Sequence, residues 1–396
     1  MPNNLNAGKW KSKPVITLSA GPVGVYPRVL RAMATTVQYD YDEYFLNFYE
    51  NVARKAALAL KVDEPPLILS MEPAPGIEAA AASLISKDDV VLNLVSGVYG
   101  KGFGYWAVRY CKKLVEVEVA YNESLTAEMV ADALKANPDV TIVSAVHHDT
   151  PSGTINPMRE IGQVIKDHGA LLLVDAVSSW SGMDMHPHDC QADVFITGPG
   201  KCLGGAPGLT LIHVSDAAWE HIDANENAPF ASVLSLSDWR NAWKASEPFP
   251  FTPSVAEING LDAALDNYLE EGPENVWARH DLTARACRAG MRAMGCEIWA
   301  ATDEIASPTT TSVCVPNGIV DKELRQAARN LYGVAFSSGR NETMGKLVRI
   351  GHMGVVAQPI YATIAITALG GALNSLGFKA DVGAGVKAAM AVIEAK

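Results

Sequence analysis

Between Pro65 and Val214, short, solidly apolar runs alternate with stretches whose apolar residues return every three or four positions. The runs LILSM (67–71), VVLNLV (90–95), LVEVEVA (114–120), VTIVSAV (140–146), ALLLVDAV (170–177), DVFITG (193–198) and GLTLIHV (208–214) read as strands. GIEAAAASLI (76–85), FGYWAVRYCKK (103–113), TAEMVADALKAN (126–137) and PMREIGQVIKDHG (157–169) read as the helices between them. Strands apolar on both faces, alternating with helices, predict an α/β fold: a mostly parallel sheet sandwiched by helices. In such sheets a ligand sits at the carboxyl ends of the strands, so the loops just after each run are where chemistry is expected.

Past the FPFTPS segment (249–254) the pattern changes. Two long helical stretches, SVAEINGLDAALDNYLEEG (254–272) and VWARHDLTARACRAGMRAMG (276–295), precede strand candidates CEIWAA (296–301), TTTSVCVP (309–316) and LVRIG (347–351). KELRQAARNLYG (322–333) and two terminal segments read as helices. The expected organisation is an N-terminal segment over 1–20, a large α/β domain over 21–253 and a smaller α+β domain over 254–396.

Charge and composition then narrow the partners. The 396 residues carry 32 Lys+Arg against 44 Asp+Glu, a net charge of −12, which argues against nucleic acid and anionic membrane surfaces. No apolar run reaches the ~18 residues of a membrane span, and MPNNLNAGKWKSK has no apolar signal core. The six cysteines form no C-x-x-C pair and no metal-ligand spacing, so free thiols and a cytoplasmic location are expected. His186 and His188 in MHPHD read as a surface loop rather than a metal site, and no metal is expected.

Two residues stand out chemically. Lys201 lies in DVFITGPGKCLGGAPG, just past an apolar strand, among Gly198, Gly200, Gly204, Gly205 and Gly208. Asp175 ends the apolar run LLLVD, 26 residues earlier, where a carboxylate must find a partner or stay neutral. An amine able to form a Schiff base, with a carboxylate to keep a pyridinium nitrogen protonated, is the minimum for pyridoxal chemistry.

With these pieces the chain resembles, over nearly its whole length, a fold-type I, class V aminotransferase of the alanine–glyoxylate/serine–pyruvate family. The likeness is carried by LSAGPVGVYPRVLRAM (18–33), IEAA (77–80), HHDTPSGT (147–154), LLLVDAVSS (171–179), the lysine loop and LVRIGHMG (347–354), in that order. The resemblance implies that Lys201 bears the Schiff base, Asp175 contacts the ring nitrogen and Val177 packs on the ring. It implies further that Thr150 lies near the phenolic oxygen, that Tyr99 stacks on the pyridine face and that Arg349, reinforced by Arg340, takes the substrate carboxylate. Tyr39 is expected in the pocket. Phe251 and Thr252 are expected to reach a neighbouring subunit's site, making the enzyme at least a homodimer.

One loop departs from the family. There the 5′-phosphate normally rests on a small-residue loop that opens a helix, held by backbone N–H groups. Here the loop reads Ser70-Met71-Glu72-Pro73-Ala74-Pro75-Gly76, in which two prolines remove N–H donors and Glu72 adds a negative charge. At about 5 Å and an effective dielectric constant of about 20, two unit negative charges cost roughly 3 kcal/mol. Gly200, before the lysine, offers no further phosphate contact. Glu72 can instead accept the 5′-hydroxyl of unphosphorylated pyridoxal or pyridoxamine. With this loop the chain resembles those family members that take unphosphorylated vitamin B6 as a substrate. That resemblance implies an aminotransferase of vitamin B6 degradation, interconverting pyridoxamine + pyruvate and pyridoxal + L-alanine, with no separate cofactor. Two alternatives are a pyridoxal 5′-phosphate-dependent alanine–glyoxylate or serine–pyruvate aminotransferase, and a non-catalytic vitamin B6 binding protein. Storage would need no grip on an amino acid carboxylate, so Lys201 together with Arg349 argues against the last.

Overall fold

The computed structural model describes residues 15–247 and 249–395, so most of the N-terminal segment expected over 1–20 lies outside the described residues. Thirteen strands follow in chain order: β1 (Ile16–Leu18), β2 (Leu67–Leu69), β3 (Val90–Val95), β4 (Lys113–Glu118), β5 (Ile142–Val146), β6 (His148–Asp149), β7 (Thr154–Ile155), β8 (Leu171–Asp175), β9 (Val194–Thr197), β10 (Thr210–Val214), β11 (Thr310–Cys314), β12 (Val334–Ser338) and β13 (Leu347–Gly351). Seven of them form one sheet in the order β2-β10-β9-β8-β5-β3-β4. The five strands β9, β8, β5, β3 and β4 run parallel, while β10 is antiparallel to both its neighbours. Two reversals return β2 to the common direction. The carboxyl ends of β2, β3, β5, β8 and β9 thus open on one edge, leading into Glu72, Tyr99, Thr150, the turn after Asp175, and Lys201.

β2, β3, β5 and β9 are buried at every residue, as their apolar pattern requires, whereas the edge strand β4, whose LVEVE alternates, has no buried residue. A second sheet, β1-β12-β13-β11, brings Arg349 on β13 opposite Ser312 and Ser337.

The structure corrects several boundaries. CEIWAA (296–301) is not a strand but makes one isolated bridge, Ile298 to Val313. The Trp299 indole N–H and the Ala301 N–H are spent on Tyr121 O and Asn122 O, at 2.9 and 2.8 Å, instead of on a ladder. The helix expected from 103 begins at Val98, so the glycine-rich VYGKGFG after Gly97 is helical. The helix expected from 76 begins at Pro73, with proline at its first position. Helix Val255–Glu271 sends Ile258, Leu261, Leu265 and Tyr268 into the large core, and the second core gathers residues from Ala286 onward together with Leu18.

Candidate active site

Lys201 follows β9 and turns its chain toward the N-terminal segment. Its Nζ donates to Ala20 O at 2.9 Å. Gly21 adopts φ +115°, and a Cβ there would run into the lysine's Nζ, so only glycine gives this amine its berth. Burial, seconded by the Arg349 cation, lowers the Lys201 pKa from its usual range to about 8. About a fifth of the amine is therefore neutral, and nucleophilic, near physiological pH, far more than for an ordinary lysine.

Asp175 ends β8 beside it. Its Oδ1 accepts the Val177 N–H at 2.9 Å, and Oδ2 has no such partner among the described residues. Burial raises its pKa to about 6, with the Val177 N–H and Lys201 pulling the other way. A cationic ring nitrogen would reverse that rise by giving the carboxylate its missing partner. Val177 is buried two residues on, and the fully buried Thr150 has an Oγ1 without a hydrogen-bond partner. Such orphans are costly in an interior. A buried hydroxyl without a partner and a carboxylate with one oxygen uncommitted, both at the carboxyl edge of the sheet near Lys201, suit the phenolic oxygen and ring nitrogen of a pyridoxal ring, so the residues present fit that group.

On the other side stands the start of helix Pro73–Leu84. A helix normally offers several free N–H groups here. In this chain Pro73 and Pro75 have none, the Ala74 N–H is taken by Glu72 Oε2 at 3.2 Å, and the Gly76 N–H reaches Glu72 O at 3.4 Å. Glu72 thus caps its own helix while remaining exposed, and contributes to the negative potential felt by Lys201. No N–H in this first turn is left for a phosphate. Gly200 adds nothing, because a Cβ there would fall 2.7 Å from Pro207 Cα. The FPFT segment runs close by, with Ser254 N donating to Ser70 Oγ at 2.9 Å.

Arg349 comes from β13 and is partly buried; its Nε donates to Ser338 O at 2.7 Å, which orients the guanidinium. Desolvation lowers its pKa, while the Tyr99 phenol and the Asp149 carboxylate support its charge. Arg340 lies exposed with its guanidinium 5.8 Å from the centroid of the Tyr99 ring. Lys201 therefore lies within electrostatic reach of Asp175, Arg349 and Glu72, and Arg349 within reach of Tyr99 and Arg340, while Val177 and Thr150 follow closely after Asp175 and Asp149. Tyr39 and Phe251 do not join them within this chain: they are 69% and 40% exposed, and Tyr39 stacks on Tyr41. Asp184, His186 and Asp189 approach one another elsewhere, but Arg159 already sits against both carboxylates, at 3.3 and 3.4 Å.

Sequence reasoning missed two residues of this cluster. Asp149 and His148, beside Thr150 in HHDT, are buried with Oδ1 and Nε2 respectively unpartnered. The available signal was two titratable groups in one strand-end turn.

The family model for aminotransferase class-V matches residues 78–364. A pyridoxamine–pyruvate transaminase from Mesorhizobium japonicum is 63% identical over 382 residues, covering 96% of this chain and 97% of the relative. The crystal structure of pyridoxamine–pyruvate aminotransferase from Mesorhizobium loti superposes with a TM-score of 0.96 at 63% identity, covering 96% of this chain and 97% of that one. Ureidoglycine–glyoxylate aminotransferase from Bacillus subtilis gives 0.90 at 27% identity, covering 96% and 98%.

Proposed function

The chain belongs to the class-V aminotransferases, and from that premise we propose that it interconverts pyridoxamine + pyruvate and pyridoxal + L-alanine. The observation that carries the choice within the family is the helix start at Glu72. Its first-turn N–H groups are absent or already bonded, and its cap is an anion. That is a poor seat for a phosphate dianion and a good one for a hydroxyl, which Glu72 Oε1 accepts. The 63% identity to a transaminase named for pyridoxamine and pyruvate supports the same reading. Vitamin B6 is then substrate, and no separate cofactor is needed.

When bound, pyridoxal supplies an aldehyde carbon for an amine and a protonated ring that can absorb an electron pair. The chain's residues do the rest. Lys201 Nζ, neutral in a useful fraction, would hold that carbon covalently with release of water, and once displaced by the amino acid would move the proton between the substrate α-carbon and the ring-side carbon. Asp175 Oδ2 holds the proton on the ring nitrogen. Thr150 Oγ1 bonds the phenolic oxygen, and Val177 and Tyr99 enclose the ring. Arg349 grips the carboxylate of alanine or pyruvate bidentately, with Arg340 adding charge at the rim. Phe251 and Thr252 reach a neighbouring copy's site in a homodimer or larger homo-oligomer, Phe251 being exposed within one chain, and Tyr39 belongs to the pocket. Among the described residues no helix is long and apolar enough to cross a membrane, and the six free thiols support a cytoplasmic setting.

The test is mass spectrometry of the borohydride-reduced protein, as purified and after incubation with pyridoxal. A pyridoxyl mass increment on the Lys201 peptide is expected. A phosphopyridoxyl increment on protein as purified would favour the phosphate-dependent alternative.

A further inference from the structure

We propose that Asp149 is a positioning residue: its carboxylate pins the first turn of helix Val98–Tyr110 and thereby sets Tyr99 against the bound ring. The inference rests on the pyridoxal site described above.

Asp149 is fully buried, at 0% exposure. Its Oδ2 accepts the Tyr99 N–H at 2.7 Å and the Gly100 N–H at 3.2 Å, across a separation of some fifty residues. The helix has no cap of its own, because Gly97 precedes it with no side chain. Nor could a larger residue stand there, since a Cβ on Gly97 would run into the Asp149 carboxyl. A Ser, Thr or Asn at position 97 would cap this helix locally and cheaply. The chain instead buries a carboxylate, leaves its Oδ1 without a partner and clears position 97 to admit it. Burial pushes the acid up to about pKa 7, with the two N–H bonds and Arg349 opposing the rise.

What this arrangement provides is a rigid link. Asp149 precedes Thr150 directly and ends the short strand β6 just past β5, so the ring stacker and the hydroxyl proposed to meet the phenolic oxygen are held as one unit. The link extends to the second substrate. The Tyr99 phenol bears on Arg349, and Arg340 stands over the Tyr99 ring. A displaced Tyr99 would loosen the ring face and the carboxylate grip together.

A double-mutant cycle decides it, read as the dissociation constant for pyridoxal from the visible band of the adduct, with melting temperatures alongside. Asp149→Ala is expected to weaken pyridoxal binding about tenfold or more. Asp149→Asn recovers most of that loss, because an amide oxygen still accepts the Tyr99 N–H. In a Tyr99→Ala background Asp149→Ala should add less than about twofold, since residues acting through one contact are not additive. A full effect persisting in Tyr99→Ala, or no effect of Asp149→Ala on binding, overturns the proposal. Should Asp149→Ala fail to fold, Gly97→Ala perturbs the same contact from the other side and enters the same cycle. The cycle is also run with pyridoxal 5′-phosphate. Wild-type protein that binds only the phosphate would overturn the substrate assignment while still deciding the role of Asp149.

Discussion

Lys201 is a lysine kept away from its ordinary charge state. Only the neutral amine attacks an aldehyde, and burial places its pKa at about 8. The rate of pyridoxal capture should therefore rise about tenfold per pH unit below that value and level off above it, as the neutral fraction saturates. Stopped-flow absorbance checks this. A rate still climbing through pH 9.5 would describe an ordinary exposed lysine, and Lys201→Leu should show no band at any pH. Arg349 makes a different demand, because its guanidinium faces the other substrate. Arg349→Ala should raise the apparent KM for alanine and pyruvate about ten- to hundredfold, the worth of a charge-assisted contact, and that for pyridoxal far less. Equal weakening of all three would show a collapsed site rather than a lost anchor.

At the scale of elements, the proposed function makes the start of helix Pro73–Leu84 the selector between the two forms of vitamin B6. Pyridoxal should bind better than pyridoxal 5′-phosphate, and Glu72→Gln should narrow the gap about five- to tenfold by removing the repelling charge at an exposed position. Competitive titration of the two aldehydes measures it; an unchanged gap would mean that Glu72 does not face the 5′-substituent. This loop was legible in the sequence because proline removes an N–H wherever it stands. So were the parallel strands, whose two-sided burial writes an unbroken apolar run, as in VVLNLV and LLLVD. The first turn of Val98–Tyr110 was not, because its cap is Asp149, some fifty residues away, and local pattern carries no trace of such a contact. Strand β12 was missed for a related reason: VAFSS is short and half polar, and it is a strand because β1 and β13 flank it. Tyr39 and Phe251 could be named from resemblance, but one chain leaves them on its surface.

At the scale of the whole molecule, the site is shared between two sheets. Lys201, Asp175 and Thr150 come from the large sheet's carboxyl edge, whereas Arg349 and Arg340 come from β13 and the turn before it. The two halves meet tightly near the lysine, where a Cβ on Gly354 would fall 2.8 Å from Gly204 Cα. Each substrate is thus held mainly by its own half, and what passes between them is an amino group. In a transaminase that keeps a phosphorylated cofactor through both half-reactions, that division gives ping-pong kinetics. On the proposed reading Glu72, Pro73 and Pro75 leave no seat for a phosphate, so once the covalent link to Lys201 is broken pyridoxamine would retain ring contacts and a single hydroxyl bond. It should leave in every turnover and compete for the site as a true second substrate. Varying pyridoxamine and pyruvate together should then give intersecting initial-rate lines, and dialysis should strip the protein of bound B6. Parallel lines with B6 retained through dialysis would mean that some other contact anchors the ring, and the family's phosphate-dependent alanine–glyoxylate chemistry would then describe the chain better.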